Sequence, residues 1–85
     1  MPYTILFKPS AKRALDQLEG TTKKRVAAWI DALAANPFPS GVRKIAGEEN
    51  AYRIRVGDYR VIYDVLHKKV IVLILRIGHR REVYR

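Results

Sequence analysis

The chain contains no cysteine, which excludes a disulfide framework and thiolate chemistry and is consistent with a reducing compartment. Long apolar runs are missing too. The longest, residues 70–75, is six residues, far short of a membrane span. The first ten residues, MPYTILFKPS, offer no basic segment followed by an extended apolar stretch, so no secretory signal is expected and a cytoplasmic location is. Acidic residues are scarce: eight Asp and Glu stand against seventeen Lys and Arg, a net charge of +9. With few carboxylates and two histidines, no cluster has metal-ligand spacing, and neither a metal nor another cofactor is expected.

What is present suits a small globular domain. Hydrophobic residues make up 48% of 85 positions, too many for a disordered chain, and a domain of this size has a modest core. No repeat or linker divides it, so one domain over 1–85 is expected. The positive charge is uneven: six basic against three acidic residues in 1–42, eleven against five in 43–85. Such a field favours a polyanionic partner, nucleic acid or an acidic protein segment.

Residues 3–8 (YTILFK) form a short β-rich run closed by Pro9. Ser10 is placed to cap a helix with Ala11, Ala14, Leu15 and Leu18 on one face, and Gly20 to end it. Thr21 or Thr22 is placed to cap a second helix with an inward stripe of Val26, Trp29, Ile30 and Leu33, ending at Asn36 before Pro37. The stretch 37–47 is rich in Pro and Gly and reads as loop. Strands are expected over 51–56, 59–66 and 69–77, joined by links so short that they must be antiparallel neighbours. The unbroken apolar run of the last marks a central strand covered on both faces. The fold class is therefore α+β: an N-terminal strand, a two-helix hairpin, then a three-stranded antiparallel meander, all in one sheet.

The segment AYRIRVGDYRVIY (51–63) carries a register. Gly57 followed by Asp58 suits a two-residue type II′ turn, which sets Val56 against Tyr59, Arg55 against Arg60, Ile54 against Val61, Arg53 against Ile62 and Tyr52 against Tyr63. Alternation puts Tyr52, Ile54, Val56, Tyr59, Val61 and Tyr63 under the helices, and Arg53, Arg55 and Arg60 on the opposite, open face. Facing like charges destabilise a sheet unless the guanidinium groups splay apart to meet Asp64 or Glu48 or an anion joins them, and arginine matches phosphate oxygens with a planar fork. After the last strand, Gly78 allows a turn, and the ending GHRREVYR supplies His79, Arg80 and Tyr84 but only Val83 for packing. A histidine titrates near neutral pH, an arginine is a fixed cation, and a tyrosine gives or takes a proton.

Strand, helical hairpin, a loop containing KIAG, YRIRVGDYRVIYDV, an apolar strand and IGHRREVYR together resemble the RelE/ParE toxin superfamily, most closely its RelE-type members, over essentially the whole chain. The hairpin and the ending carry the specificity; the helices are generic. The resemblance implies a RelE-like microbial RNase toxin fold and a toxin of a type II toxin–antitoxin system. It implies a ribosome-dependent endoribonuclease that cuts mRNA in the decoding site, is held inactive by a cognate antitoxin, and needs no membrane. By position it points to Arg60, Arg80, Tyr84 and His79 as catalytic and to Arg53 and Arg55 as phosphate-binding. Better-known relatives have lysines at the positions of Arg53 and Arg55, which keeps the charge and changes the fork. Some relatives place a carboxylate base just before the segment matching KIAG; here that residue is Arg43, with Glu48 and Glu49 nearby.

Metal-free RNA cleavage requires a base for the 2′-hydroxyl, stabilisation of the phosphorane and protonation of the 5′-oxygen. Arginines provide the charge but cannot be the base. Tyr84 among guanidinium groups is the candidate base, and the acid stays open between Arg80 and His79. Lys12, Arg13, Lys23, Lys24 and Arg25 are candidate rRNA contacts, although such helix charges are commonly a solvated face. A ParE-like gyrase toxin shares the YRI-turn-YR hairpin and is the first alternative. A non-enzymatic nucleic-acid-binding module is the second, opposed by the lack of a recognisable reading helix or stacking platform.

Overall fold

A computed structural model describes residues 2–79. In chain order the elements are β1 (Thr4–Phe7), α1 (Pro9–Gln17), α2 (Gly20–Ala32), β2 (Arg43–Lys44), β3 (Ala51–Val56), β4 (Tyr59–Leu66) and β5 (Ile71–His79). The five strands form one sheet in the order β1-β5-β4-β3-β2. The meander β3-β4-β5 is antiparallel as expected, and β1 closes the far side parallel to β5, with Thr4 against Ile71 and Phe7 against Ile74. The fold is α+β, with one strand more than expected: β2 lies in the stretch read as loop and pairs antiparallel with β3 through Arg43–Arg53 and Lys44–Tyr52. Among the described residues no helix is long and apolar enough to cross a membrane.

Both helices lie against one face of the sheet. Ala11 and Leu15 of α1 are buried, as are Val26 and Ile30 of α2 and Leu33 just after it, and they pack with Ile54, Val56, Val61, Tyr63, Val65, Val72, Ile74 and Ile77. Each fully buried Leu, Ile or Val contributes about 1.5–3 kcal/mol, so this layer dominates the stability of the small domain. The expected stripes hold with one exception. Trp29, at a position expected to point inward, is 38% exposed. The sheet is running out beneath it: β3 lies next to the edge and β2 covers only two residues of its outer side.

Helix ends differ from expectation. Pro9 itself occupies the first turn of α1, where its fixed φ suits the helix and its missing N–H costs nothing, and Lys8 rather than Ser10 stands at the N-cap. Helix α1 ends at Gln17, with Leu18 extended, and Gly20 opens α2 rather than closing α1. Neither Thr21 nor Thr22 caps α2; Glu19 holds that place.

The β3–β4 hairpin has the expected register throughout, from Val56–Tyr59 to Tyr52–Tyr63. Gly57 has φ +60 and Asp58 is not left-handed, which agrees with a II′ turn. The β4–β5 link is four residues, 67–70, with Val70 at φ +55, so β5 starts two residues later than expected and runs on through Gly78 and His79. Gly78 is a strand residue, not a turn. Strand β5 is interior in the sheet, yet only the helix-covered face is sealed; Ile71, Leu73 and Leu75 remain half-exposed.

Candidate phosphate-binding cleft

The II′ turn forces Arg55 and Arg60 into direct opposition, and the expected face is the one they occupy. Arg53 lies two residues before Arg55 on the same face. The short strand β2 adds a fourth cation by pairing Arg43 with Arg53. These four arginines line one cleft of about 440 Å³ at the β3 edge of the sheet. Ser40 and Gly41, in the loop leading to β2, and Trp29 of α2 also line it. Among the described residues that line it there is no carboxylate. On α2, one turn before Trp29, the Arg25 guanidinium lies over the hairpin turn, 3.7 Å from where a β-carbon on Gly57 would stand.

The arginines are not equally open. Arg55 is exposed and Arg53 half-buried, but Arg60 is only 7% exposed, so this part of the face is less open than the pattern alone suggests. Its other cross-strand neighbour is Gly78, which has no side chain to compete for the same space. A nearly buried guanidinium is dehydrated and held in place, and its field falls on whatever enters the cleft with little screening.

His79 is placed elsewhere. A bulge between β4 and β5 sets Ile62 against Arg76 and Tyr63 against Ile74, leaving Leu75 as the extra residue. Without it, alternation from Ile74 would send residue 79 to the arginine face. With it, Ile77 and His79 return to the helix-covered face, where the imidazole meets Tyr59 edge-on at 5.7 Å between ring centroids. Arg60 and His79 thus lie on opposite faces. Arg80 and Tyr84 lie outside the described residues.

Carboxylates gather in a second hollow, of about 760 Å³, which includes Lys8, Glu48, Ile62, Asp64 and Arg76. Burial pushes the Asp64 carboxyl up, the nearby Glu48 charge adds to the effect, and Lys8 opposes it. Glu48 therefore borders Asp64 rather than the four-arginine cleft, and its neighbour Glu49 accepts the Lys44 ammonium through its backbone carbonyl at 2.6 Å. Among the described residues no three His, Cys, Asp or Glu side chains come together as a metal site. On the helices, Lys12 and Lys23 both approach Asp16, at 3.0 and 3.7 Å, so part of that basic surface is engaged within α1 and α2.

Two cleft residues were not legible as such in the sequence. Arg43 depends on a two-residue strand, too short for any periodic signal. Trp29 has helical core spacing, and only the narrowness of the sheet turns it outward.

Comparison with known proteins adds the identity. The family described as "ParE toxin of type II toxin-antitoxin system, parDE" matches residues 5–84, nearly the full length. The chain therefore belongs to the toxins of type II toxin–antitoxin systems that make up the RelE/ParE superfamily. Within that superfamily it falls on the RelE side. It is 34% identical to toxin RelG of Mycobacterium tuberculosis over 100% of this chain and 99% of the relative. The archaeal RelE–RelB complex of Pyrococcus horikoshii superposes with a TM-score of 0.83 at 33% identity, covering 94% of this chain and 97% of that one. The RelBE2 toxin–antitoxin complex of M. tuberculosis gives a TM-score of 0.81 at 28% identity, covering 94% and 100%.

Proposed function

We propose that this toxin is an endoribonuclease that acts on mRNA in the ribosomal decoding site without a metal ion. The observation that carries the reading is the convergence of Arg43, Arg53, Arg55 and Arg60 in one cleft. Four fixed cations at a sheet edge match successive phosphates of a single strand, and they act most strongly where charge accumulates, on the phosphorane. The 2′-oxygen attacks the adjacent phosphorus, the bond to the 5′-oxygen breaks, and the products are a 2′,3′-cyclic phosphate and a 5′-hydroxyl. Tyr84, as phenolate, takes the 2′-hydroxyl proton, a form that guanidinium groups at the site would favour. With His79 on the other face, Arg80 hydrogen-bonds the departing 5′-oxygen, which takes its proton from a solvent water; the hydroxide left behind takes the proton back from the Tyr84 phenol.

The solved relatives that pair a RelE toxin with RelB support a cognate antitoxin as the second partner. An acidic segment that orders on binding would cover the basic face and occupy the arginines that mRNA needs.

The family match carries the ParE description, which favours gyrase poisoning as the competing activity. One experiment separates the two. The wild type, Arg80→Ala and Tyr84→Phe are incubated with translating ribosomes, and message ends are mapped. The nuclease reading expects new 5′-hydroxyl ends at the decoding site, with each variant slowed about a hundredfold or more. Undiminished cleavage by Tyr84→Phe removes the base assignment. Intact message together with gyrase–DNA cleavage complexes transfers the protein to the ParE activity. Salt-sensitive RNA binding with no product in either assay leaves a binding module.

A further inference from the structure

The chain has one tryptophan, and it stands at the arginine cleft. We propose that Trp29 is a stacking platform for one nucleobase of the RNA whose phosphates the arginines hold, a specificity-determining contact for the substrate; the inference rests on the RNA-binding part of the reading above.

The argument begins with burial. Val26, Ile30 and Leu33 are at most 1% exposed, and the same helix leaves its largest apolar side chain 38% exposed. Around the indole lie Arg43, Arg53, Arg55 and Arg60, with Arg25 one turn away on the same helix. Cations tracking a backbone with an aromatic face beside them are what a single strand of RNA requires, because each nucleotide brings a phosphate and a π-face. Beyond Arg53 the outer edge of β3 has no strand beside it among the described residues, so a strand of RNA can approach between hairpin and helix. The cleft volume of about 440 Å³ is in the range that holds a molecule of nucleotide size. Trp29 sits on a helix anchored by the buried Val26 and Ile30, which fixes the backbone that carries the platform. A stacked base fixes where the strand lies in the cleft and therefore which phosphate meets Arg60. Stacking tolerates any base but favours the larger rings, so purines gain most.

The single tryptophan makes the test direct, since all indole emission comes from the site. The protein at low salt is titrated with a trinucleotide RNA and with an abasic ribose-phosphate trimer of equal charge. Emission reports contact, and anisotropy of end-labelled strands reports affinity. The expected result is saturable quenching by the RNA alone and binding of the abasic trimer at least about tenfold weaker. Trp29→Ala should lose that difference, binding both strands like the abasic one, and Trp29→Phe should retain most of it. A thermal melt of each variant confirms folding. Equal affinity of the wild type for both strands, unchanged RNA affinity in Trp29→Ala, or quenching by an antitoxin segment but never by RNA overturns the proposal. Failure of the nuclease reading is separate. If ribosomes yield no cleaved message while the base-dependent quenching persists, the stacking site stands and the catalysis falls. If wild type and Trp29→Ala cleave ribosomal mRNA alike with equal RNA affinity, the stacking site falls alone.

Discussion

Arg55 and Arg60 are direct cross-strand partners on the same face of the β3–β4 hairpin, one exposed and the other almost buried. A fold under pressure for stability alone would not keep this pair, since like charges directly opposite one another destabilise a sheet by about 0.2–1 kcal/mol. Together with Arg43 and Arg53 they line one cleft, where the proposed RNA would lie against both.

Replacing Arg55 with threonine separates the two effects. Threonine suits a strand, so Arg55→Thr should raise stability at low salt by about 0.2–1 kcal/mol, a gain of a few degrees in Tm for a domain of this size. Salt screens exposed charges, and the gain should shrink toward zero by about 1 M. On the proposed nuclease reading, in which Arg55 holds a phosphate, the same substitution should lower ribosome-dependent cleavage about tenfold or more. Melts across a salt series and cleavage rates check both halves. Lower stability at low salt would show that Arg55 is held by favourable contacts instead.

The hairpin could be read from the sequence because a two-residue turn fixes register and register fixes faces. Once Gly57 and Asp58 are assigned, the side of every residue from Tyr52 to Tyr63 follows, and the structure agrees pair by pair. Features that depend on the neighbouring strands were not legible. Strand β2 has only two residues and exists because Arg43 and Lys44 happen to pass beside β3. The side on which His79 emerges depends on one extra residue, Leu75, in a strand of uninterrupted apolar character where alternation leaves no trace. Trp29 looked like core because helical spacing says which way a residue faces, not whether a sheet still lies there. Local chemistry therefore gave the cleft's floor, and the sheet's finite width decided its walls.

Tyr63 gives a prediction with a pH signature. Its side chain is fully buried and its hydroxyl donates to the Pro37 carbonyl at 2.7 Å, tying the loop after α2 to the middle of β4. Burial, with Tyr52 nearby, pushes the phenol well above its usual range. A pKa raised in the folded state means that the protonated phenol contributes stability below the unfolded value of about 10, and that this contribution is lost as pH rises beyond it. Tyr63→Phe leaves the Pro37 carbonyl without its donor and should cost about 1–3 kcal/mol at pH 7. The difference between wild type and variant should narrow above about pH 10, because the variant has no phenol to keep protonated there. Urea melts between pH 7 and 11 test it, and a constant difference across that range would contradict the burial argument.

Val70 is the described residue where local conformation is most at odds with its side chain. It has φ +55, the left-handed region that disfavours β-branched residues, in the four-residue link between β4 and β5. The surrounding hydrogen bonds hold it there. Its N–H donates to the His67 carbonyl at 3.2 Å, and its own carbonyl accepts from Thr4 N–H at 2.9 Å, the first rung between β5 and β1. A glycine or asparagine is the ordinary occupant of such a place in a hairpin link. The valine methyls do little to offset the strain, since the side chain is half-exposed. Val70→Gly adds unfolded-state entropy but removes the steric cost of about 1–2 kcal/mol, and Val70→Asn removes much of that cost without the entropy term. Val70→Asn should therefore be the more stabilising, by about 1 kcal/mol, or roughly 4–8 °C in Tm. Neither variant touches the arginine cleft, so ribosome-dependent cleavage at 25 °C should match the wild type while the melting temperature rises. A fall in Tm for both variants would show that the valine side chain holds the β1 edge by packing, and that its backbone strain is the smaller effect.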